Sequence, residues 1–338
     1  MNDRDQDRYS RQIRFSEIGL SGQEKLLDAR VAIVGCGALG SFHAGALLRA
    51  GVRHVRLVDR DYVEANNLQR QWLYVQEDAE HARPKAEAAA QHLRKIDSEC
   101  QPEPVVVDLT ADNIADVLDG AQLILDGTDN FETRYLINEF AVQHGIPWIY
   151  GAAVGSYGIT MPVVPGSTCC FSCLYPQPPT GIQPTCETAG VVNAVTSAIA
   201  SFQVSVALQV LCGRHFEARI TTMDLWTGKL RQVRQPPART DCDVCGRRRF
   251  PHLAGRHRAP ISLCGRNAVQ IHDRSRPVDL TSLKTHLFPF GEVRANELAL
   301  RFFVPPYEMT IFHDGRAIVK GTSDPGIARK LYAQYVGA

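Results

Sequence analysis

The sharpest chemistry in this sequence lies in two short cysteine pairs. Cys170-Phe-Ser-Cys173 and Cys242-Asp-Val-Cys245 each separate two thiols by two residues, so each pair can grip one edge of a metal ion. Together they supply four thiolates in the tetrahedral pattern that zinc favours. Four protein ligands leave no open position, so the expected zinc is structural. The long stretch between the pairs means that the metal would tie two distant segments of one domain together. Reduced, buried thiols are the alternative, and two pairs speak against a redox C-x-x-C.

A glycine loop comes second. Gly35-Cys-Gly37-Ala38-Leu-Gly40 follows the β-branched run Arg30–Val34 and leads into a helical stretch over Ser41–Ala50. Glycines there permit a tight turn and let phosphates approach the backbone, where a helix N-terminus favours anions. Asp59 ends the next apolar run, Val55–Asp59, and is placed to meet a ribose hydroxyl. The set predicts nucleotide binding but does not choose between NAD and ATP; a tight strand-to-helix turn without a ligand would look similar.

Two further groups fit phosphate chemistry. Asn66-Asn67-Leu-Gln69-Arg70-Gln71 is followed by Arg83-Pro84-Lys85, which opens a helix. A lysine in a first helical turn opposes the helix dipole and wants solvent or an anion nearby, such as a triphosphate. Asp126-Gly-Thr-Asp129-Asn130 lies just past the apolar run Leu123–Asp126. A carboxylate there can hold Mg²⁺ on phosphates, or Thr128 or Asp129 can cap the following helix.

These groups need a scaffold that gathers strand ends. Strands at Arg30–Val34, Val55–Asp59, Pro104–Asp108, Leu123–Asp126 and Pro147–Tyr150 alternate with helices at Ser41–Ala50, Pro84–Ile96 and Phe131–His144. That alternation predicts an α/β fold, Rossmann-like and doubly wound, with a mostly parallel sheet. The stretch Gly151–Thr188 is rich in Gly, Pro and Cys and reads as irregular with short strands. Arg219–Leu225 and Lys229–Gln235 read as a hairpin around Trp226-Thr-Gly228. A break near Gly246–Pro260 sets the predicted boundary between a nucleotide-binding domain over 1–246 and a small C-terminal α+β domain over 247–338. Within the latter, Ile261–Ile271 and Ala299–Val304 read as strands and Leu280–Leu287 as a helix. Asp314-Gly315 marks a hairpin, and Ser323-Asp324-Pro325 opens a last helix to Tyr335.

The bulk numbers are those of an ordinary globular chain. The 338 residues are 44% apolar and 22% charged, with a net charge of +1, which gives no global field toward nucleic acid or an acidic membrane. The charged stretch Met1–Arg14 lacks the apolar core of a secretory signal, so the ten cysteines are expected as cytoplasmic thiols or metal ligands. Thr188–Gly213 carries no charge and is long enough to span a bilayer. Asn193, Ser197, Ser201, Ser205 and Gln209, however, recur every four residues as a polar stripe on one helix face. A buried helix packed on a sheet or a partner subunit is therefore expected, and no membrane.

The ordered set of motifs resembles the HesA/MoeB/ThiF family, prokaryotic relatives of ubiquitin-activating enzymes. The likeness rests on Arg8-Tyr-Ser-Arg11-Gln-Ile13, Gly35–Gly40, Asn67–Gln71, Pro84-Lys85, Gly127-Thr-Asp129-Asn130, both cysteine pairs and Thr185-Cys186-Glu-Thr-Ala-Gly190. It covers roughly residues 8 to 246. The resemblance implies ATP-dependent adenylation of the C-terminal carboxylate of a small ubiquitin-fold carrier protein ending in Gly-Gly, with release of pyrophosphate. By the same resemblance, the glycine loop, Asp59 and Asn130 bind ATP, Asn67, Arg70 and Lys85 contact its phosphates, and Asp129 organises Mg²⁺. Arg11 reaches the phosphates from an N-terminal arm, typically the other protomer's, which implies a homodimer. Ala38 stands where the family often has a second glycine. Cys186 matches a cysteine that takes the activated carrier covalently in some relatives and is dispensable in others.

Three other readings compete. An NAD-dependent oxidoreductase shares the glycine loop and Asp59 but leaves Arg70 and Lys85 unexplained. The family's tRNA-modifying branch would want a basic surface. A non-catalytic, partner-binding pseudoenzyme would not need Asp59, Arg70, Lys85 and Asp129 intact. Residues 247–338 show no rhodanese-type loop around Cys264 and are expected to dock the carrier or cap the enzyme.

Overall fold

The computed structural model describes residues 1–178, 186–255, 262–263, 268–272, 277–295, 299–313 and 315–337. Three short helices open the chain: α1 (Asp3–Arg8), α2 (Ser10–Ile13) and α3 (Gly19–Asp28). Then β1 (Arg30–Val34) runs through the glycine loop into α4 (Ala38–Arg49), and β2 (His54–Val58) follows. A 3-10 turn at Ala65–Asn67 and α5 (Gln76–Glu80) lead to α6 (Lys85–Ile96), β3 (Gln101–Val105), α7 (Ile114–Val117) and β4 (Leu123–Asp126). After α8 (Phe131–His144) and β5 (Trp148–Val154) come β6 (Tyr157–Val163), α9 (Phe171–Leu174) and α10 (Cys186–Ala189). The long helix α11 (Asn193–Leu211) precedes the hairpin of β7 (Arg219–Asp224) and β8 (Lys229–Arg234).

Eight strands form one sheet in the order β3-β2-β1-β4-β5-β6-β7-β8. The first five in that order are parallel, and β6, β7 and β8 extend the sheet antiparallel. This is the doubly wound arrangement expected from the alternation. Chain order reverses between β1 and β4, and that switch point is where such sheets bind ligands. The central strands are apolar on both faces because both faces are covered. Val31 and Ile33 face a core built with α4, α6 and α11. Ala32 and Val34 face a second core with α8 and the cysteine segments.

Two elements depart from the expectation for local reasons. The third strand runs Gln101–Val105 rather than Pro104–Asp108. Pro102 and Pro104 lie in it because it is the sheet edge. Gln101, Glu103 and Val105 alternate with the prolines and turn their polar groups to β2, as in Gln101 N–H to Arg53 O at 2.8 Å. The prolines' missing N–H groups fall on the open side. The stretch after Tyr150 is also more regular than expected, since β5 continues to Val154 and pairs with a seven-residue β6.

The charge-free helix α11 is the one helix among the described residues long and apolar enough to cross a bilayer. It packs instead on α4, β5 and β6, burying Val195, Ile199, Ala200, Val204 and Ala207. Its polar stripe bonds to itself: Ser201 Oγ donates to Ser197 O at 2.8 Å and Gln209 Nε2 to Ser205 O at 3.3 Å.

The chain divides into two compact units, Met1–Pro179 with Val191–Arg256, and Thr180–Gly190 with His257–Ala338. Outside the α10 segment, the second unit has an antiparallel six-stranded sheet. Its strands are β9 (Ser262–Leu263), β10 (Ala268–His272), β11 (Glu292–Ala295), β12 (Ala299–Val304), β13 (Tyr307–Phe312) and β14 (Arg316–Lys320), in the order β11-β12-β13-β14-β10-β9. Two helices, α12 (Leu280–Leu287) and α13 (Pro325–Tyr335), complete it. Leu283, Leu287, Phe302, Ile311 and Leu331 are part of its core. Cys264, Asp314 and Thr185 lie outside the described residues.

Candidate nucleotide site and cysteine cluster

The carboxyl ends of β1, β2 and β4 meet at the switch point. Gly35 has φ +85°, and a Cβ there would lie 2.6 Å from the Gly127 backbone. A Cβ on Gly40 would lie 1.8 Å from Gly35 O. These two glycines are required because the loop after β1 is pressed against the loop after β4. Ala38 is the first residue of α4, with Gly37 before it.

Asp59 stitches the site together. Its Oδ2 accepts the Cys36 N–H at 2.6 Å and its Oδ1 the Asp61 N–H at 2.7 Å. Burial pushes its pKa up while the nearby Lys85 pulls it down. Each carboxylate oxygen keeps further acceptor capacity for a ribose hydroxyl. Lys85, 6% exposed, starts α6 and pairs through Nζ with Asp61 Oδ2 at 3.4 Å. Arg60 beside it pairs with Asp108 at 2.9 Å. Asn67 is buried and holds its own turn, accepting the Glu64 N–H at 3.1 Å and donating to Asn66 Oδ1 at 2.6 Å. Arg70 is half-buried and donates to Asn66 O at 2.8 Å.

Past β4, Asn130 is the residue that caps α8, its Oδ1 accepting the Thr133 N–H at 2.8 Å. Capping thus falls to neither Thr128 nor Asp129, and the Asp129 side chain is exposed. Arg11 is exposed on α2. Its arm is anchored elsewhere: Arg53, just before β2, pairs with Asp5 at 2.6 Å and with Asp97 at 3.1 Å.

Several buried residues below this site gave no signal in the motif reading. The Asp126 carboxylate, fully buried, pairs with Arg134 Nε at 3.3 Å. Gln203 of α11 donates to Asp126 O and Ile149 O, both at 3.0 Å, and its Oε1 meets His43 Nε2 at 2.9 Å. Since the Gln203 amide donates to two carbonyls, its oxygen must accept, which places a proton on His43 Nε2. Burial lowers the His43 pKa to about 4, so this ring is neutral. A cation at the end of the first turn of α8 was the signal available for Arg134, the same one that singled out Lys85.

The cysteine cluster lies on the opposite face of the sheet from α11. Cys170 caps α9, Cys173 lies within it, and Cys242 and Cys245 come from the segment after β8. Cys170 Sγ is 3.8 Å from Cys173 Sγ and 3.7 Å from Cys242 Sγ, and Cys173 Sγ is 3.3 Å from Cys245 Sγ. All four sulfurs lie within 4.8 Å of one another. A disulfide needs about 2.05 Å. Four thiolates about 2.3 Å from a central zinc lie about 3.8 Å apart, so the cluster fits that ion. The Cys169 N–H bonds to Pro236 O at 2.9 Å and Gln235 Nε2 to Cys169 O at 3.0 Å, closing the same two segments beside the thiols. Phe171, between the first two ligands, is fully buried against Tyr135, Tyr150 and Tyr175.

The ThiF family profile matches residues 9–244. The chain belongs to the ThiF family. It is 44% identical over 334 residues, 98% of this chain and 99% of the relative, to the sulfur carrier protein ThiS adenylyltransferase of Bacillus subtilis. It is 36% identical over 245 residues, 71% of this chain and 88% of the relative, to the SAMP-activating enzyme E1 of Haloferax volcanii. Among solved structures, Escherichia coli MccB with MccA-N7isoASN superposes with a TM-score of 0.62 at 21% identity, covering 71% of this chain and 75% of that one, which is a likeness of fold. The ThiF match spans the glycine loop, the β4 loop and three of the four cluster cysteines, ending one residue before Cys245. The Bacillus subtilis relative also matches through the second unit. Cys186 opens the four-residue helix α10, is half-buried and clusters with that second unit.

Proposed function

We propose that this ThiF-family chain uses ATP to adenylate the C-terminal glycine carboxylate of a small ubiquitin-fold sulfur-carrier protein, releasing pyrophosphate. The observation that carries the reading is the meeting of Gly35–Gly40, Asp59, Lys85 and the Asp126–Asp129 loop at one sheet switch point. The nucleophile is a carboxylate, already ionised at neutral pH, so no general base is required. What must be overcome is charge repulsion and misorientation as the carboxylate meets the α-phosphorus. Asp59 orients the ribose, Lys85 exchanges Asp61 for phosphate oxygens, and Arg70 and Asn67 flank them. Asp129 is the exposed carboxylate placed to hold Mg²⁺, which supplies positive charge on the phosphates. The four cysteines hold a structural zinc. The product is an acyl-adenylate, and its formation makes no demand on Cys186.

A homodimer in the cytoplasm completes the reading. Arg53 and Asp97, which anchor the N-terminal arm, precede β2 and β3 and so lie at the amino ends of the strands. The phosphate site lies at the carboxyl ends, roughly 15 Å of strand away. An arm docked there leaves Arg11 at the end of the sheet opposite its own phosphate site, so its role in the reaction would be at a partner's site. The near-full-length likeness to a ThiS adenylyltransferase makes a ThiS-type carrier ending in Gly-Gly the first to test, ahead of the molybdopterin and thio-tRNA types. The decisive measurement is ATP–pyrophosphate exchange with and without that carrier. Carrier-dependent exchange is expected. Its absence with every Gly-Gly carrier of the source genome, or stabilisation by NADH rather than ATP, would sink the proposal.

A further inference from the structure

The loop that carries Asp129 is fastened from below by a charge pair that never reaches solvent. Arg134 is 5% exposed and Asp126 is 0% exposed. The Arg134 guanidinium spends its donors on three acceptors in two segments: Nε on Asp126 Oδ2 at 3.3 Å and Nη2 on Thr128 O at 2.7 Å in the β4 loop, and Nη2 on Gly151 O at 3.3 Å in β5. Its carbon lies 5.5 Å from the Phe131 ring centroid and 5.2 Å from that of Tyr150, which fixes the plane of the fork. The other Asp126 oxygen, Oδ1, accepts both the Thr128 N–H at 2.8 Å and Thr128 Oγ1 at 2.6 Å. Burial pushes the Asp126 carboxyl up, and Arg134 and Thr128 hold it down.

We infer that Arg134, locked by Asp126, is the positioning residue that sets the backbone at Thr128–Asp129 and so aims the Asp129 carboxylate. The carbonyl that Arg134 grips belongs to the peptide bond whose nitrogen is that of Asp129. Thr128 is thus held through its N–H, hydroxyl and carbonyl, and the next side chain leaves the turn in one direction. A buried ion pair adds little net stability over an apolar filling, so its use here is geometric. Arginine is required because only a planar fork can serve a carboxylate and two carbonyls at once; a lysine offers one point charge.

The inference rests on the adenylation reading for its catalytic consequence, and its test therefore includes a measurement that needs no carrier. Arg134→Lys, and Asp126→Asn combined with Arg134→Gln, are compared with the wild type at a temperature where each is folded by thermal melt. Binding of a non-hydrolysable ATP analogue is titrated with and without Mn²⁺. Metal-free affinity is expected within about threefold of wild type, while the gain in affinity on adding Mn²⁺ falls about tenfold or more in both. In pyrophosphate exchange, kcat falls about a hundredfold, a scale typical of losing one preorganised electrostatic contact, with KM for ATP little changed. The neutral pair retains a melting temperature close to wild type yet does not recover kcat. An undiminished Mn²⁺ gain in Arg134→Lys, or a neutral pair that regains both stability and kcat, overturns the assignment and leaves the pair merely structural. A wild type without exchange would defeat the functional reading alone, because the Mn²⁺ titration still decides this one.

Discussion

At the cysteine cluster, four thiol side chains arrive from two tight turns, and each pair is placed by the two residues between its members. At the carboxyl ends of β1, β2 and β4, the groups come from separate segments, and buried charges hold them: Lys85 on Asp61, Arg134 on Asp126. The first site is specified by local spacing and closed by one ion. The second is specified by which strands are neighbours, and its accuracy depends on polar contacts that water cannot compete for. Damage should therefore spread differently from the two places. A change at the cysteines should loosen the fold while sparing the chemistry of whatever remains folded. A change at the strand ends should spare the fold and stop the chemistry.

The sharpest way to break that contrast is Asp129→Ala. The side chain is exposed, so the melting temperature and zinc content should stay at wild-type values. Pyrophosphate exchange should fall by about 10²–10³-fold. A large loss of stability would show that the strand-end site is not separable from the fold. Next in size is Cys173→Ser, expected to remove the bound zinc, read by a chromophoric chelator, and to lower stability by roughly 3 kcal/mol or more, since metal binding is coupled to folding. ATP analogue binding should survive below the lowered melting temperature; its loss there would mean that the two sites are one cooperative device.

The smallest effect concerns pH. Glu139 of α8 is buried, its Oε2 accepts the N–H groups of His252 at 2.9 Å and Leu253 at 3.0 Å, and desolvation pushes its pKa up to about 7. It thus fastens the segment that follows the second cysteine pair. A carboxyl whose folded pKa is raised contributes stability that is full below its unfolded value of about 4.3 and is lost as pH rises toward 7. Melting temperature should fall between pH 5 and 8 in the wild type and fall less in Glu139→Gln, a difference on the order of 1–3 kcal/mol. Equal slopes in the two proteins would remove Glu139 as the cause.

Much of this was legible in the residues. β1, β4 and α8 start and stop where the residues indicate, because apolar runs and Gly145 as a stop act locally. The edge strand was misplaced by three residues because proline is usually a strand breaker, and only the sheet order reveals that β3 has a free side. At the site, the glycine loop, Asp59, Lys85 and Asp129 stand out by type and position. Arg134 offers only the cue of a cation in the first turn of α8; Gln203 and His43 offer none, because each sits inside an ordinary helix where nothing in the spacing separates a buried polar residue from a surface one.

The sequence alone determined the α/β alternation, the phosphate-type loop and the four thiols, since each depends on neighbours within a few residues. Tertiary structure alone decided that the loops after β1 and β4 touch, that Asn130 rather than Asp129 caps α8, and that a buried arginine grips the turn before Asp129. Those facts depend on which strands lie side by side and on which side chains lose water, and burial is a property of the assembled fold.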